Sequence, residues 1–288
     1  MTRSLLWTSL FCAAACTGGY SSAGTPAAPA PAAPVRPAAG AARLQLAPGT
    51  TRYFIRQDVH IQQDFAGLPP TMTLGYGLYL TATIAGPADS TGFLTSFTVD
   101  SVTIDSGTQF PPQINLASAK GFRVTGRLTP TGEFMNAMPS DSNTAASLAN
   151  VLPRFRSFFP RLPAGGIHPD TSWIDSTTTT EGAGATTITT HVLSRRAATT
   201  WENRAGVRAL RIEVSATYRF NGAGEQGGAA FTIDGNGTGG GVQYLAGDGR
   251  FLGGEAHDTT TLTIDLSMQG ITIPRRQTAH TTVTALTP

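Results

Sequence analysis

Residues 210–220 read Leu-Arg-Ile-Glu-Val-Ser-Ala-Thr-Tyr-Arg-Phe, with an apolar or aromatic residue at every even number and a polar one at every odd number. Side chains on a β-strand point alternately to its two faces, so this stretch predicts a strand with one apolar and one polar face. The same alternation recurs at 72–84, 93–104 and 262–268. A parallel sheet, buried on both faces, would instead show continuous apolar runs with helices between them. The pattern therefore predicts an antiparallel sheet.

The alternation changes phase within residues 93–104. Phe97 and Val99 carry it on odd numbers, whereas Val102 and Ile104 carry it on even numbers. One extra residue in a strand shifts the phase in this way, so we predict a β-bulge near Asp100-Ser101. Long, twisted strands with bulges tend to coil. We predict a mainly β protein built on a strongly curved antiparallel sheet or open barrel, with a β-sandwich as the alternative.

Residues 141–160 predict the one central helix. Ser140 and Asp141 are candidate N-caps. Pro153 either kinks the helix or starts a second one, and Pro160 ends it. We expect the apolar stripe of this helix to pack on the concave face of the sheet. The residues of the stripe recur at three- and four-residue spacing and are Leu148, Val151, Leu152, Phe155, Phe158 and Phe159.

The helix separates two halves of one predicted β-rich domain, residues 43–288. The first half is 43–139 and the second is 170–288. Residues 121–126 followed by Gly132-Glu133-Phe134 resemble residues 230–235 followed by Gly249-Arg250-Phe251. In both places a glycine-containing strand leads through a loop to a Gly-x-Phe strand start. We therefore predict two β-meander halves joined by the helix.

The first fifteen residues are predicted to be a signal peptide. Arg3 precedes an apolar run that ends in small residues before Cys16, a pattern that resembles bacterial lipoprotein signals. We expect Cys16 to be the lipid anchor, and ordinary signal cleavage next to it is the alternative. Residues 16–42 are rich in Pro and Ala and predict a disordered linker. The predicted location is the cell envelope, as an outer-membrane lipoprotein facing the periplasm or the surface, with a secreted or periplasmic soluble form as the alternative.

Composition argues against several classes of function. Charged residues make up 13% of the chain and the formal net charge is +2. Nucleic-acid binding needs basic residues clustered on one face, and this composition does not favour it. The five histidines show no i, i+2 or i, i+4 pair, and no nucleophile motif is present. His257 and Asp258 are adjacent, but neighbours on a strand point to opposite faces. We predict no metal site, cofactor or catalytic residues, and no enzyme; a hydrolase built from dispersed His and Asp residues is the weakest alternative.

The arginine pairs and the glycine-rich stretch are expected to have structural roles. We expect Arg195-Arg196 and Arg275-Arg276 to be solvated loop or edge residues. The glycine-rich stretch Asp234–Gly239 begins like a calcium-binding loop, but its twelfth position is Leu245 rather than an acid. We expect a flexible hairpin turn there.

The junction at residues 162–173 reads Leu-Pro-Ala-Gly-Gly-Ile-His-Pro-Asp-Thr-Ser-Trp and is followed by β-rich sequence. It resembles the junction of an uncharacterised, domain-of-unknown-function family of secreted bacterial β-rich lipoproteins. That resemblance implies a curved antiparallel sheet with a central helix, broadly similar in layout to the carriers of lipoprotein and lipid transport. It carries no catalytic residues to transfer.

The favoured function is a non-catalytic, membrane-tethered lipoprotein whose concave sheet face binds an apolar small molecule or acyl chain. A fully packed core is the alternative for the same residues. The second function is an envelope structural or protein-interaction module that uses threonine-rich strands such as 177–180. The expected partners are the membrane through the N-terminal lipid and either a hydrophobic small molecule or an envelope protein. The candidate ligand face consists of Tyr76, Leu80, Phe97, Leu210, Val214 and Tyr218.

Overall fold

The computed structural model describes residues 43–64, 69–86, 89, 92–108, 119–148, 152, 155–183, 186–226, 229–266 and 269–286. The predicted signal peptide, Cys16 and the predicted linker to residue 42 lie outside the described residues. The strands are β1 (Gly49–Gln63), β2 (Thr71–Ile84), β3 (Phe93–Ile104), β4 (Arg123–Leu128), β5 (Phe134–Pro139), β6 (Ser172–Ala183), β7 (Thr186–Arg204), β8 (Val207–Gln226), β9 (Ala229–Ala246), β10 (Phe251–Leu266) and β11 (Ile271–Leu286). A helix, α1 (Ser142–Leu148), and a 3-10 turn at Phe155–Ser157 lie between β5 and β6.

All eleven strands belong to one antiparallel sheet with the order β5-β4-β3-β2-β1-β11-β10-β9-β8-β7-β6. Strands β1 to β5 form one meander and β6 to β11 form a second. Pairing of β1 with β11 joins the two halves, while β5 and β6 are the two edges of an open sheet. The predicted mainly β fold is confirmed, as a strongly curved antiparallel sheet of two meander halves.

The predicted bulge in β3 is confirmed. Tyr79 of β2 pairs with Ser101, and the next residue of β2, Leu80, pairs with Val99, so Asp100 is the extra residue. The Asp100 carboxylate accepts a 2.9 Å hydrogen bond from the Arg52 guanidinium. Bulges increase local twist and bend the strand that contains them, and so contribute to the curvature of the sheet.

The two Gly-x-Phe motifs form hairpins with the same geometry. Gly132 and Gly249 have φ angles of +88° and +86°, a region that favours glycine. In each hairpin the glycine N–H bonds the carbonyl three residues earlier, that of Thr129 or Ala246. The Thr129 N–H in turn donates a hydrogen bond to the Glu133 carbonyl, and the Ala246 N–H donates one to the Arg250 carbonyl. Two residues after each glycine, a phenylalanine opens β5 or β10, as the sequence predicts.

The connecting segment, residues 140–171, packs on the concave face through its described part, residues 140–148, 152 and 155–171. Asp141 caps α1, since its Oδ1 accepts a 2.6 Å hydrogen bond from the Thr144 N–H. The helical structure in the described residues is shorter than the predicted range 141–160: α1 ends at Leu148, and three residues beyond 154 form the 3-10 turn. Prolines 153 and 160 lack the N–H that a continuing helix needs. No helix in the described residues is long and apolar enough to cross a membrane.

Aromatic packing holds the connecting segment against the sheet. Phe97 of β3 is 1% exposed and makes four ring contacts. Aromatic pairs of this kind stabilise a core beyond the area that they bury. The contacts have centroid distances from 4.6 to 5.7 Å, and the partner rings are Phe134, Phe155, Phe158 and Phe159.

The interior contains two large apolar clusters. The first cluster lies beneath the connecting segment and includes Leu80, Phe97 and Leu210. The second cluster lies further along β8 to β11 and includes Phe220 and Ile264. Between them, the concave face carries both apolar and polar side chains, among them Val59, Val214 and Gln57, which line a cavity.

Candidate functional site

A cavity of about 320 Å³ lies between the connecting segment and the concave face of the sheet. Leu152, Ser157 and Phe158 of the connecting segment form one wall. Strands β1, β2 and β6 to β11 form the others. The cavity borders both apolar clusters, touching Phe158 of the first and Tyr218 of the second.

One row of paired residues crosses the cavity wall. Directly paired residues of antiparallel strands point to the same face of the sheet, so the whole row faces inward. Most of its side chains are small, which leaves space in front of them. From β7 to β2 the row is Arg196, Val214, Gly241, Ala256, Thr281, Gln57 and Tyr76, and every member lines the cavity.

Strand β9 contributes glycines to this wall. A Cβ placed on Gly239 would lie 2.0 Å from both the Tyr218 hydroxyl and Oδ1 of Asp258. The side chains of neighbouring strands therefore lie across bare backbone that a larger residue would block. The predicted hairpin turn at Asp234–Gly239 is wrong, because these residues lie inside β9 and pair with both β8 and β10. Glycine suits a turn and a close approach equally well, and here the close approach explains the glycines.

Arg196 is the charged residue of the cavity row. Its Nη1 donates a 2.9 Å hydrogen bond to Oε1 of Gln243. Its Nε is buried and has no hydrogen-bond partner among the described residues. Burial lowers the pKa of Arg196 to about 10; the nearby Asp175 carboxylate opposes this shift, and the Arg161 guanidinium adds to it.

Arg161 organises the charges beside Arg196. Its guanidinium lies 2.9 Å from a Glu133 oxygen and 3.4 Å from an Asp175 oxygen, and so connects the start of β5 with β6. Burial alone would raise the pKa of Glu133, but hydrogen bonds and charge from Arg156 and Arg161 lower it overall. These ion pairs tie the connecting segment to both edges of the open sheet.

The expectation of solvated arginine pairs is wrong for one member of each pair. Arg195 and Arg276 are exposed, whereas Arg196 lines the cavity and Arg275 is 5% exposed. Nη2 of Arg275 donates a 3.2 Å hydrogen bond to Gln277. Two-residue alternation could have found both, because adjacent residues of a strand point to opposite faces.

The six residues of the predicted ligand face lie at two levels. Tyr76, Val214 and Tyr218 line the cavity, and the Tyr76 hydroxyl donates a hydrogen bond to Oε1 of Gln57. The others belong to the packed first cluster, with exposures of 0 or 1%. They are Leu80, Phe97 and Leu210. The concave face is therefore hollow at one level and filled at the other.

The histidines lie apart from the cavity. His257 is exposed and Asp258 is buried, so their side chains point to opposite faces as predicted. The register places His257 directly opposite His280 on the outer face. Within the described ranges, no group of three or more His, Cys, Asp or Glu side chains is arranged to hold a metal ion.

Comparison with known proteins gives no family. No protein-family model matches the chain, and no curated protein matches it. Among solved structures, Pseudomonas aeruginosa OccK2 (OpdF) is 7% identical, with a TM-score of 0.25, over 83% of this chain and 98% of that one. Salmonella typhi OmpF, solved in complex with daunomycin, is 9% identical, with a TM-score of 0.22, over 84% of this chain and 100% of that one.

Proposed function

We propose that this protein is an exported, membrane-tethered, non-catalytic binding protein that holds an apolar molecule or acyl chain in the cavity. The observation that carries the proposal is the cavity itself, about 320 Å³ between two apolar clusters. Small-molecule sites are concave, mostly apolar and about 300–1,000 Å³ in volume, with a few polar groups that orient the ligand.

The composition of the walls supports an apolar ligand. Val59, Leu74 and Val192 are buried residues of β1, β2 and β7 that face the space. Val214 and Ala216 of β8 face it from the next strand. An apolar chain that covers these groups removes apolar surface from water, which stabilises the complex by about 25 cal/mol for each Å² buried.

Binding is tested with a neutral, environment-sensitive fluorophore, N-phenyl-1-naphthylamine, and with octan-1-ol as a competitor. Ala216→Phe fills the cavity and should abolish the fluorescence gain. Ser215→Phe is the matched control, because Ser215 is the preceding residue of β8 and is exposed on the outer face. No saturable fluorescence gain with the wild-type protein, or equal gains in the two variants, would remove the proposal.

The tether is supported by the sequence before residue 43 and has its own test. A lipid on Cys16 would hold the protein in the cell envelope, with residues 16–42 as a spacer. Cys16→Ser should move the protein from the membrane fraction to the soluble fraction of cells that carry it. An unchanged distribution would contradict the anchor without touching the cavity.

A second function, an envelope interaction module, is favoured by edge strand β6. Ile174 of β6 is 65% exposed, and Thr178 and Thr180, further along the same strand, are also exposed. Edge strands can pair with strands of another protein. In-cell crosslinking should then yield an adduct with the wild-type protein and none with Ile174→Lys. Met138→Lys is the control and should still give the adduct, because Met138 is equally exposed but lies on the opposite edge strand, β5. Loss of the adduct in both variants, or no adduct in the wild-type protein, would exclude this function.

A further inference from the structure

We infer that the ligand of the cavity is an amphiphile with a single carboxylate, and that the guanidinium of Arg196 binds this carboxylate while the apolar chain occupies the remaining space. This inference rests on the proposed function and specifies its ligand class. It is carried by the position of Arg196, its incomplete hydrogen bonding and the distribution of charge around it.

Among the described residues, the hydrogen bonds of Arg196 leave the Nε of its guanidinium without a partner. Gln243 accepts from Nη1, and in the described part of the chain no group accepts from Nε. The edge formed by Nε and Nη2 carries two parallel N–H groups, the arrangement that pairs with the two oxygens of a carboxylate. A phosphate or sulfate would fit the same edge, but most of the cavity surface is apolar, which favours a ligand that also carries an apolar chain.

The charges around Arg196 favour an anion. No carboxylate of the described residues forms an ion pair with it, and Asp175, whose charge acts on it, lies 3.4 Å from Arg161. Three arginines, Arg156, Arg161 and Arg196, stand against the two acids Glu133 and Asp175. This group therefore has one positive charge in excess.

The one buried acid in the cavity wall, Asp258, lies away from the proposed carboxylate site. Asp258 belongs to β10, three strands from Arg196 on β7, which is about 14 Å measured along the sheet. It already has a partner within the protein. It lies near the Tyr218 hydroxyl, at the level next to the Arg196 row.

The remaining wall is suited to a chain rather than to a second charged group. Val214 lies directly opposite Arg196 on the neighbouring strand, and Gly241 and Ala256 continue the row. A buried guanidinium with an incomplete set of hydrogen-bond acceptors destabilises the ligand-free protein. A bound carboxylate supplies the missing acceptors and at the same time places the chain against this apolar wall.

The experiment compares octanoate with octan-1-ol at pH 8, by displacement of N-phenyl-1-naphthylamine and by calorimetry. The two probes share the chain and differ in the headgroup. The wild-type protein should bind octanoate about 10- to 100-fold more tightly, the range expected for a charged hydrogen-bonded pair. Arg196→Met should remove this preference and bring the affinities for octanoate and octan-1-ol within about threefold of each other. Arg195→Met is the matched control, since Arg195 is the preceding residue and is exposed; it should keep the preference.

The outcomes separate the inference from the proposed function. Equal binding of acid and alcohol by the wild-type protein overturns the carboxylate site and leaves the apolar cavity standing. Binding of neither probe overturns both. A preference that persists in Arg196→Met places the acid elsewhere and overturns the inference. The comparison of probes on the wild-type protein needs no variant, so the inference stays testable even if Arg196→Met does not fold. Arg196→Lys, which keeps the charge but loses the two parallel donors, should retain part of the preference.

Discussion

Replacement of Arg196 by methionine should stabilise the ligand-free protein. Burial lowers the pKa of Arg196 from its ordinary value to about 10. A pKa difference of one between the folded and unfolded states corresponds to ~1.4 kcal/mol. Keeping the guanidinium charged in the folded protein therefore costs ~3 kcal/mol of folding free energy. The folded-state pKa is below the unfolded one, so this cost is present in full below about pH 10 and is relieved only as the pH rises above that value. It therefore applies at pH 7.

The net effect of the substitution is smaller than this cost. Methionine keeps much of the apolar stem of the side chain, but the bond to Gln243 is lost, at about 1.5–3 kcal/mol for a charged donor. We expect a net gain of ~0–1.5 kcal/mol in the free energy of unfolding. For a domain of about this size, the gain raises Tm by at most about 6 °C.

The assay is thermal and urea unfolding of the ligand-free protein at pH 7, followed by circular dichroism. Arg195→Met, on the exposed face, should stay within about 0.5 kcal/mol of wild type. A fall in Tm of more than about 4 °C for Arg196→Met, with Arg195→Met unchanged, would show that the buried guanidinium supports the fold. The reasoning from its incomplete hydrogen bonding would then be wrong.

Two further changes test the cavity wall and the ion pairs. Gly239→Ala should destabilise the protein by about 1–3 kcal/mol in urea unfolding, because its Cβ would overlap two side chains. Gly240→Ala is the control. A Cβ on Gly240 meets neighbours at 3.3 Å or more, so this change should cost less than about 1 kcal/mol. Glu133 has a lowered pKa, so its ion pairs should contribute stability above pH 4.5 and lose it as the pH falls; the difference in Tm between wild type and Glu133→Gln should shrink steadily as the pH falls below 4.5, and a constant difference would contradict this assignment.

Local pattern was enough to predict much of the architecture. The phase shift near Asp100 predicts the bulge because one extra residue reverses the facing of all that follow it. The Gly-x-Phe motifs predict two strand starts, and Gly132 and Gly249 adopt the positive φ angles that glycine allows. Each of these features depends on residues close together in the chain.

The candidate site was predicted less completely, and Arg196 and the glycines of β9 show why. Alternation places Arg196 on one face of β7 but does not tell which residues of other strands stand beside it. Glycine has no side chain to distinguish a turn from a strand, so the stretch 234–239 is interpretable only once Tyr218 and Asp258 are seen to lie across it.

The amino-acid order alone therefore establishes that the chain forms long one-faced strands in two meanders, because face and turn preferences are local properties of the backbone. The pairing of β1 with β11, the level at which the interior is hollow and the partners of Arg196 come from the folded chain. They depend on cross-strand register between residues far apart in sequence, such as Gln57, Arg196 and Thr281, and on how much volume the side chains at each level fill.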